Sequence, residues 1–99
     1  MNARMYHHEI WIDETNTDAL RYFFNEYLKE SGFETLDFIE HRFKPYGYTA
    51  VWVISESHLF LHTFPEERKS YVQIASCSFE KYINFMRRIE DIHDNFKED

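Results

Sequence analysis

Apolar and polar residues along this chain follow two different periods, and the switches between them mark the elements. Tyr6 to Asp13 (Y-H-H-E-I-W-I-D) is rich in β-formers and predicts a first strand. Glu14-Thr15-Asn16-Thr17 supplies N-cap residues for a helix. Leu20, Phe23, Phe24, Tyr27 and Leu28 then recur at i, i+3, i+4, i+7 and i+8, the stripe of an amphipathic helix. Ser31-Gly32 ends that helix, because glycine accepts the left-handed conformation after a helix C-terminus. Phe33 to Phe43 predicts a second strand with irregular alternation. Lys44-Pro45-Tyr46-Gly47 is a turn, with proline presetting φ and glycine supplying a positive one. Tyr48 to Ser55 is nearly continuous in apolar residues, as in a strand covered on both faces. A polar break at Ser55-Glu56-Ser57 separates it from a fourth strand, Ser57 to Thr63. Phe64 to Lys69 is a polar turn, and Ser70 to Ser76 is a fifth strand.

From Phe79 the period becomes helical again, with Tyr82, Ile83, Met86, Ile89, Ile92, His93 and Phe96 on one face. Lys81, Arg87, Arg88, Glu90, Asp91 and Asp94 populate the other, and Lys97-Glu98-Asp99 forms a solvated tail. The order is β-α-β-β-β-β-α. Short connections after residue 43 require antiparallel neighbours. The expected fold is α+β: a two-layer sandwich of a mostly antiparallel sheet with two helices on one face. If the third strand is buried on both faces, something beyond the helices must cover the second one. A second copy of the chain, pairing sheet to sheet in a dimer, is the simplest cover.

Composition narrows the functional classes. Ninety-nine residues make one small domain, spanning 1–99, with no linker or internal repeat. Ten Phe, seven Tyr and two Trp support an apolar core and an apolar interface. A formal charge of −7 disfavours nucleic acid and anionic membranes and favours cationic ligands. One cysteine, Cys77, cannot form an internal disulfide and fits a reducing compartment. The first residues carry no secretory pattern, and no apolar run has bilayer length. A cytoplasmic protein with no membrane partner is expected.

Candidate chemistry centres on the strand break. Ser57 is a hydroxyl at a tight turn, with His58 and His62 close behind it in sequence. Ser and His between strands are more often turn and edge residues, so the pair does not by itself define a site. His58 and His62 share a strand face but lie about 13 Å apart, too far for one metal ion, so no metal site is expected. His7 and His8 point to opposite faces, and His41 and His93 have no partner legible in the sequence. There is no glycine-rich phosphate loop, paired cysteine or basic patch interleaved with aromatics.

Several short segments in register do carry a signal. They are F-K-P-Y-G from Phe43, V-I-S-E-S-H-L from Val53, H-T-F-P-E from His62, and Cys77. Over Phe43 to Cys77 the chain resembles the S-adenosylmethionine decarboxylase proenzymes of the short prokaryotic type. The steps from Ser57 to His62 and to Cys77, five and twenty residues, are those of that family.

The resemblance implies a pyruvoyl-dependent decarboxylase that cuts itself between Glu56 and Ser57. The Ser57 hydroxyl would attack the Glu56 carbonyl, giving an ester by N-to-O acyl shift. His62 matches the base that removes the Ser57 α-proton, and Thr49 matches a hydroxyl that assists processing. The pyruvoyl cofactor left at residue 57 forms a Schiff base with the substrate amine and acts as an electron sink. Cys77 matches the donor that returns a proton to the substrate, Phe43 the aromatic that stacks on adenine, and Glu66 the carboxylate that holds the ribose. The implied product, decarboxylated S-adenosylmethionine, donates aminopropyl groups in polyamine synthesis. A homodimer is implied as well.

Departures from the family pattern fall mainly on the substrate side. Phe64 stands where a Trp is usual, Glu67-Arg68-Lys69-Ser70 where Tyr-Gly is usual, Gln73 for an acidic residue, Ser78 for Gly and Thr49 for Ser. Two alternatives therefore stand beside the first reading: a pyruvoyl-dependent decarboxylase of ornithine or arginine, and an uncleaved paralogue that binds or regulates a partner.

Overall fold

The computed structural model describes residues 3–95, with side chains to residue 90. Expectations for Asp91, Ile92, His93, Asp94, Phe96 and the tail Lys97 to Asp99 lie outside the described side chains. The elements are β1 (Tyr6–Ile12), α1 (Thr17–Glu30), β2 (Thr35–Arg42), β3 (Tyr48–Ile54), β4 (Ser57–Phe64), a 3₁₀ turn (Pro65–Glu67), β5 (Lys69–Ser76) and α2 (Phe79–Asn95). The five strands form one sheet in the order β1-β5-β4-β3-β2, every neighbour antiparallel. The anticipated α+β two-layer architecture is thus the observed one.

Local chemistry explains the boundaries. Asn16 is the N-cap of α1, its side chain accepting from the Ala19 N–H at 2.9 Å. Gly32, at φ 98°, lets the chain turn out of the helix. The Phe33 N–H then returns to the Leu28 carbonyl at 2.9 Å, so Phe33 belongs to the helix exit and β2 starts only at Thr35. Gly47, at φ 113°, closes the β2–β3 turn.

Both helices cover one face of the sheet. Their apolar stripes (Leu20, Phe24, Tyr27 and Leu28 of α1; Phe85 and Ile89 of α2) pack in one core with alternate strand residues. In β3 those are Tyr48, Ala50, Trp52 and Ile54; in β4, Leu59 and Leu61; in β5, Val72 and Ile74. Trp52 is the centrepiece. It is fully buried, its ring meets Phe38 at 4.8 Å and Phe24 at 6.0 Å, and its Nε1–H donates to Asn25 Oδ1 at 2.6 Å.

One expectation, for α2, needs correction. The apolar face of α2 includes the fully buried Phe85, whereas Ile83 is only half-buried. Within one chain, β3 is covered on a single face: Thr49 and Val51 are half-buried and Val53 is 38% exposed. The continuous apolar run therefore meets the helices on one side and leaves apolar surface on the other. That open face also carries Trp11 (51% exposed) and Ile39 (59%), far from ordinary burial for such side chains.

Candidate active site

Ser57 is the first residue of β4, directly after a two-residue hairpin loop, Ser55-Glu56, closed by the Ile54–Ser57 pair. Such loops favour Asn or Gly, because left-handed backbone costs other residues about 1–2 kcal/mol. Glu56 nonetheless sits at φ 53°. The strained residue is the one that precedes the serine.

Cross-strand register brings further groups to this end of the sheet. Ser57 pairs with Ser76 of β5, and the two hydroxyls lie 2.8 Å apart. The Ser57 hydroxyl also lies 3.0 Å from the Ser55 carbonyl oxygen. Cys77, next along the chain, donates its thiol proton to Glu56 Oε2 at 3.0 Å. That carboxylate, followed by desolvation, raises the thiol pKa above its ordinary value of 9.0 and keeps it protonated at neutral pH. Serine hydroxyl, protonated thiol and carboxylate thus form one cluster around the Glu56–Ser57 bond.

The remaining predicted residues gather at the opposite end. Phe43, Thr49, His62, Phe64 and Glu66 line a cleft of about 420 Å³, together with Tyr46. Thr49 and His62 are register partners on β3 and β4, with Thr49 Oγ1 and His62 Nδ1 2.8 Å apart. Desolvation lowers the His62 pKa below 6.5, so the ring is neutral at pH 7. Glu66 sits in the exposed 3₁₀ turn after β4. Phe43 follows β2, its N–H donating to the Gly47 carbonyl at 2.9 Å.

Ser57 and His62 are not brought together in one chain. Five residues of β-strand at ~3.3 Å each separate them by about 16 Å, and an odd interval puts them on opposite faces. Ser57 faces the helix layer and is 9% exposed; His62 lies on the open face. His58, between them in sequence, stacks on Phe60 at 4.5 Å on that open face.

Other neighbours had no signal in the sequence. His41 pairs with Thr49 across β2 and β3 and stands edge-on to Phe43 at 4.5 Å. Trp11 packs against Phe64 at 5.7 Å and Tyr71 at 5.3 Å beside the cleft. Behind it, the buried Tyr48 phenol donates to Glu40 Oε1 at 2.6 Å, and Arg21 donates to the same oxygen at 3.1 Å. Desolvation, then Glu40, push the Tyr48 pKa up to about 12, so this residue braces the cleft as a neutral phenol. Only a register, which sequence alone does not supply, makes these contacts visible.

The molecule is therefore an antiparallel α+β domain with a hydroxyl–thiol–carboxylate cluster at one sheet end and an aromatic cleft bearing a histidine and a carboxylate at the other. A family model described as S-adenosylmethionine decarboxylase matches residues 13–99. The chain belongs to that family. Among curated relatives, it is 40% identical over 62 residues to the S-adenosylmethionine decarboxylase proenzyme of Fervidobacterium nodosum, covering 63% of this chain and 45% of that protein. It is 35% identical over 78 residues to the proenzyme of Thermosipho melanesiensis, covering 75% and 60%. The chain spans about half the length of the curated relatives it matches. The crystal structure of the adenosylmethionine decarboxylase from Aquifex aeolicus superimposes with a TM-score of 0.75 at 20% identity, over 99% of this chain and 86% of that one. At that identity the likeness establishes the fold.

Proposed function

We propose that this chain is the self-processing, pyruvoyl-dependent decarboxylase of S-adenosylmethionine that its family membership points to, working as a homodimer with sites shared between copies. One observation carries the reading. The Glu56–Ser57 bond combines a left-handed residue, a buried hydroxyl and a protonated thiol in one cluster.

The chain's own residues divide the work. Ser57 Oγ attacks the Glu56 carbonyl carbon, and the strain at Glu56 favours leaving the folded amide. His62 then takes the Ser57 α-proton. For that role Nδ1–H donates to Thr49 Oγ1, which leaves the Nε2 lone pair free as the base. As the α-proton leaves, the Ser57 Cβ–Oγ bond breaks and releases 1–56 as its C-terminal carboxylate; water then replaces the residue-57 nitrogen, lost as ammonia, so the products are fragments 1–56 and 57–99. Residue 57 fits a pyruvoyl group: it is a serine in a buried strand-end slot, donating to Ser76, and the Cys77 thiol lies on the carboxylate of the preceding Glu56. That group supplies an electron sink as carbon dioxide leaves. Cys77 holds a proton for the substrate α-carbon. Phe43 and Phe64 give the adenine and the sulfonium aromatic faces, and Glu66 accepts the ribose hydroxyls. The cationic substrate suits a chain of net charge −7. A cytoplasmic location suits an exposed free thiol. Among the described residues, no helix is long and apolar enough to cross a membrane.

The separation of the two clusters supports the dimer. Two open sheet faces packed about a two-fold axis with strands antiparallel would lay the Glu56-Ser57-Cys77 end of one copy over the Phe43-His62-Glu66 cleft of the other. The exposed Trp11, Ile39 and Val53 would be buried in the same step.

Intact mass and carbon dioxide release test the reading. Two fragments of 56 and 43 residues are expected, the smaller gaining one hydrazine adduct. Carboxyl-labelled S-adenosylmethionine should release its label, whereas ornithine and arginine should not. A single uncleaved species, or label released only from the basic amino acids, would overturn it.

A further inference from the structure

We propose that Ser76 is a positioning residue for self-cleavage, aiming the Ser57 hydroxyl at its own backbone. The proposal rests on the reading of Glu56–Ser57 as the bond that is cut.

The helix-facing side of β4 and β5 is otherwise apolar along its middle, with Leu59, Leu61, Val72 and Ile74 fully or nearly fully buried. At its end sit two buried hydroxyls facing each other, Ser57 and Ser76, at 2.8 Å. Packing does not require them there. Two buried hydroxyls need each other as partners, and replacing both by alanine would remove that need at little cost.

Ser76 is also held from the far side. Its Oγ accepts the Ser78 N–H at 3.0 Å, and its own proton points to the Ser78 carbonyl at 3.4 Å. Ser78 in turn is fixed by the first turn of α2: its carbonyl accepts the Tyr82 N–H at 3.0 Å, and its Oγ accepts the Lys81 N–H at 3.4 Å. With its proton directed to Ser78, Ser76 offers a lone pair to the Ser57 O–H. The Ser55 carbonyl, at 3.0 Å, is the second acceptor for that proton. The Ser57 proton is engaged by fixed acceptors, and the oxygen's own lone pairs stay free for attack.

The step balances within the chain. A bond forms from Ser57 Oγ to the Glu56 carbonyl carbon, and that carbon's bond to the Ser57 nitrogen breaks. The proton leaving Oγ ends on that nitrogen. Ser76 polarises the O–H as the proton leaves and is itself unchanged. The start of α2 therefore sets the nucleophile through Ser78 and Ser76, two residues that touch neither substrate nor the scissile carbonyl.

The test follows cleavage of freshly synthesised chain over time by intact mass, in wild type, Ser76→Ala and Ser76→Thr. Losing one hydrogen bond to the nucleophile should slow Ser76→Ala about tenfold or more, while Ser76→Thr, which keeps the hydroxyl, should stay within about threefold. Hydroxylamine added during the reaction should trap less of the 1–56 fragment as its hydroxamate in Ser76→Ala, because ester formation itself is slowed. Thermal unfolding of the same variants in a Ser57→Ala background, where nothing is cut, should show little change. Equal rates for Ser76→Ala and wild type would overturn the proposal. So would slowing in both variants that tracks a lowered Tm. Failure of wild type to cleave would refute the parent reading instead, which separates the two failures.

Discussion

If His62 acts on the Ser57 of a partner copy, two defective chains should repair each other. The perturbation is a pair of variants, Ser57→Ala and His62→Ala, made separately and then co-expressed. The magnitude comes from the sheet. Five residues at ~3.3 Å put the two groups about 16 Å apart in one chain, against about 3 Å needed for proton transfer. No rotamer of His62 spans that gap, so neither variant alone should yield the ketone-bearing 57–99 fragment. In a mixed dimer the His62→Ala chain keeps its own Ser57 and receives the partner's intact imidazole. Random pairing at equal expression places about half of the His62→Ala chains in mixed dimers. About half of them should therefore gain the ketone, read by mass as a hydrazine adduct on the 57–99 fragment. The Ser57→Ala chain, distinguished by a mass tag, should stay uncut throughout. Conversion of His62→Ala alone, or none in the mixture although the two chains co-purify, would refute action between copies.

Two further outcomes are expected from the same geometry. His62 has its pKa depressed below 6.5 by desolvation, so the unfolded chain binds more protons than the folded one between that native value and 6.5. Stability contributed by the neutral ring is present above 6.5 and lost as pH falls through that window. Ketone formation should likewise be flat from neutral to mildly alkaline pH and fall with a midpoint below 6.5; a midpoint above 6.5 would remove His62 as the base. Trp52 is fully buried and hydrogen-bonded to Asn25. Trp52→Ala should cost about 3–5 kcal/mol and Trp52→Phe about 1–2 kcal/mol, measured by urea unfolding in a Ser57→Ala background. Equal costs for the two would show that the indole volume does not carry the core.

The sequence made the architecture legible where local chemistry and burial agree. Asn16 and Gly32 bracket α1 as their chemistry requires, and the nearly continuous apolar run from Tyr48 to Ile54 supplies the helix-covered face of β3 with its alternate residues. It was less legible where a single face decides. The apolar stripe of α2 is broad, so its periodicity admitted Ile83 and passed over Phe85, which packs at 6.4 Å against Phe24. β2 reads irregularly because it is an edge strand with a register shift between Thr35 and Asp37 and only Phe38 turned to the core.

The site shows the same division. The short motifs nominate the candidate residues, yet along a strand nearness in sequence becomes distance in space, so Ser57 and His62 do not meet within one chain. Functional groups meet instead in rows across the sheet. One row runs His41, Thr49, His62, Tyr71, Trp11; another joins Ile54, Ser57, Ser76 and Tyr6. Each row contains half of the chemistry the family motifs call for, and each lies at its own end of β4. If the two clusters, about 16 Å apart along β4, are halves of one site, a chain that leaves Trp11, Ile39 and Val53 exposed on its open face has a geometric reason to pair. On the proposed reading, the apolar surface and the divided site have one common resolution: a second copy, reversed, that covers the first and completes the second.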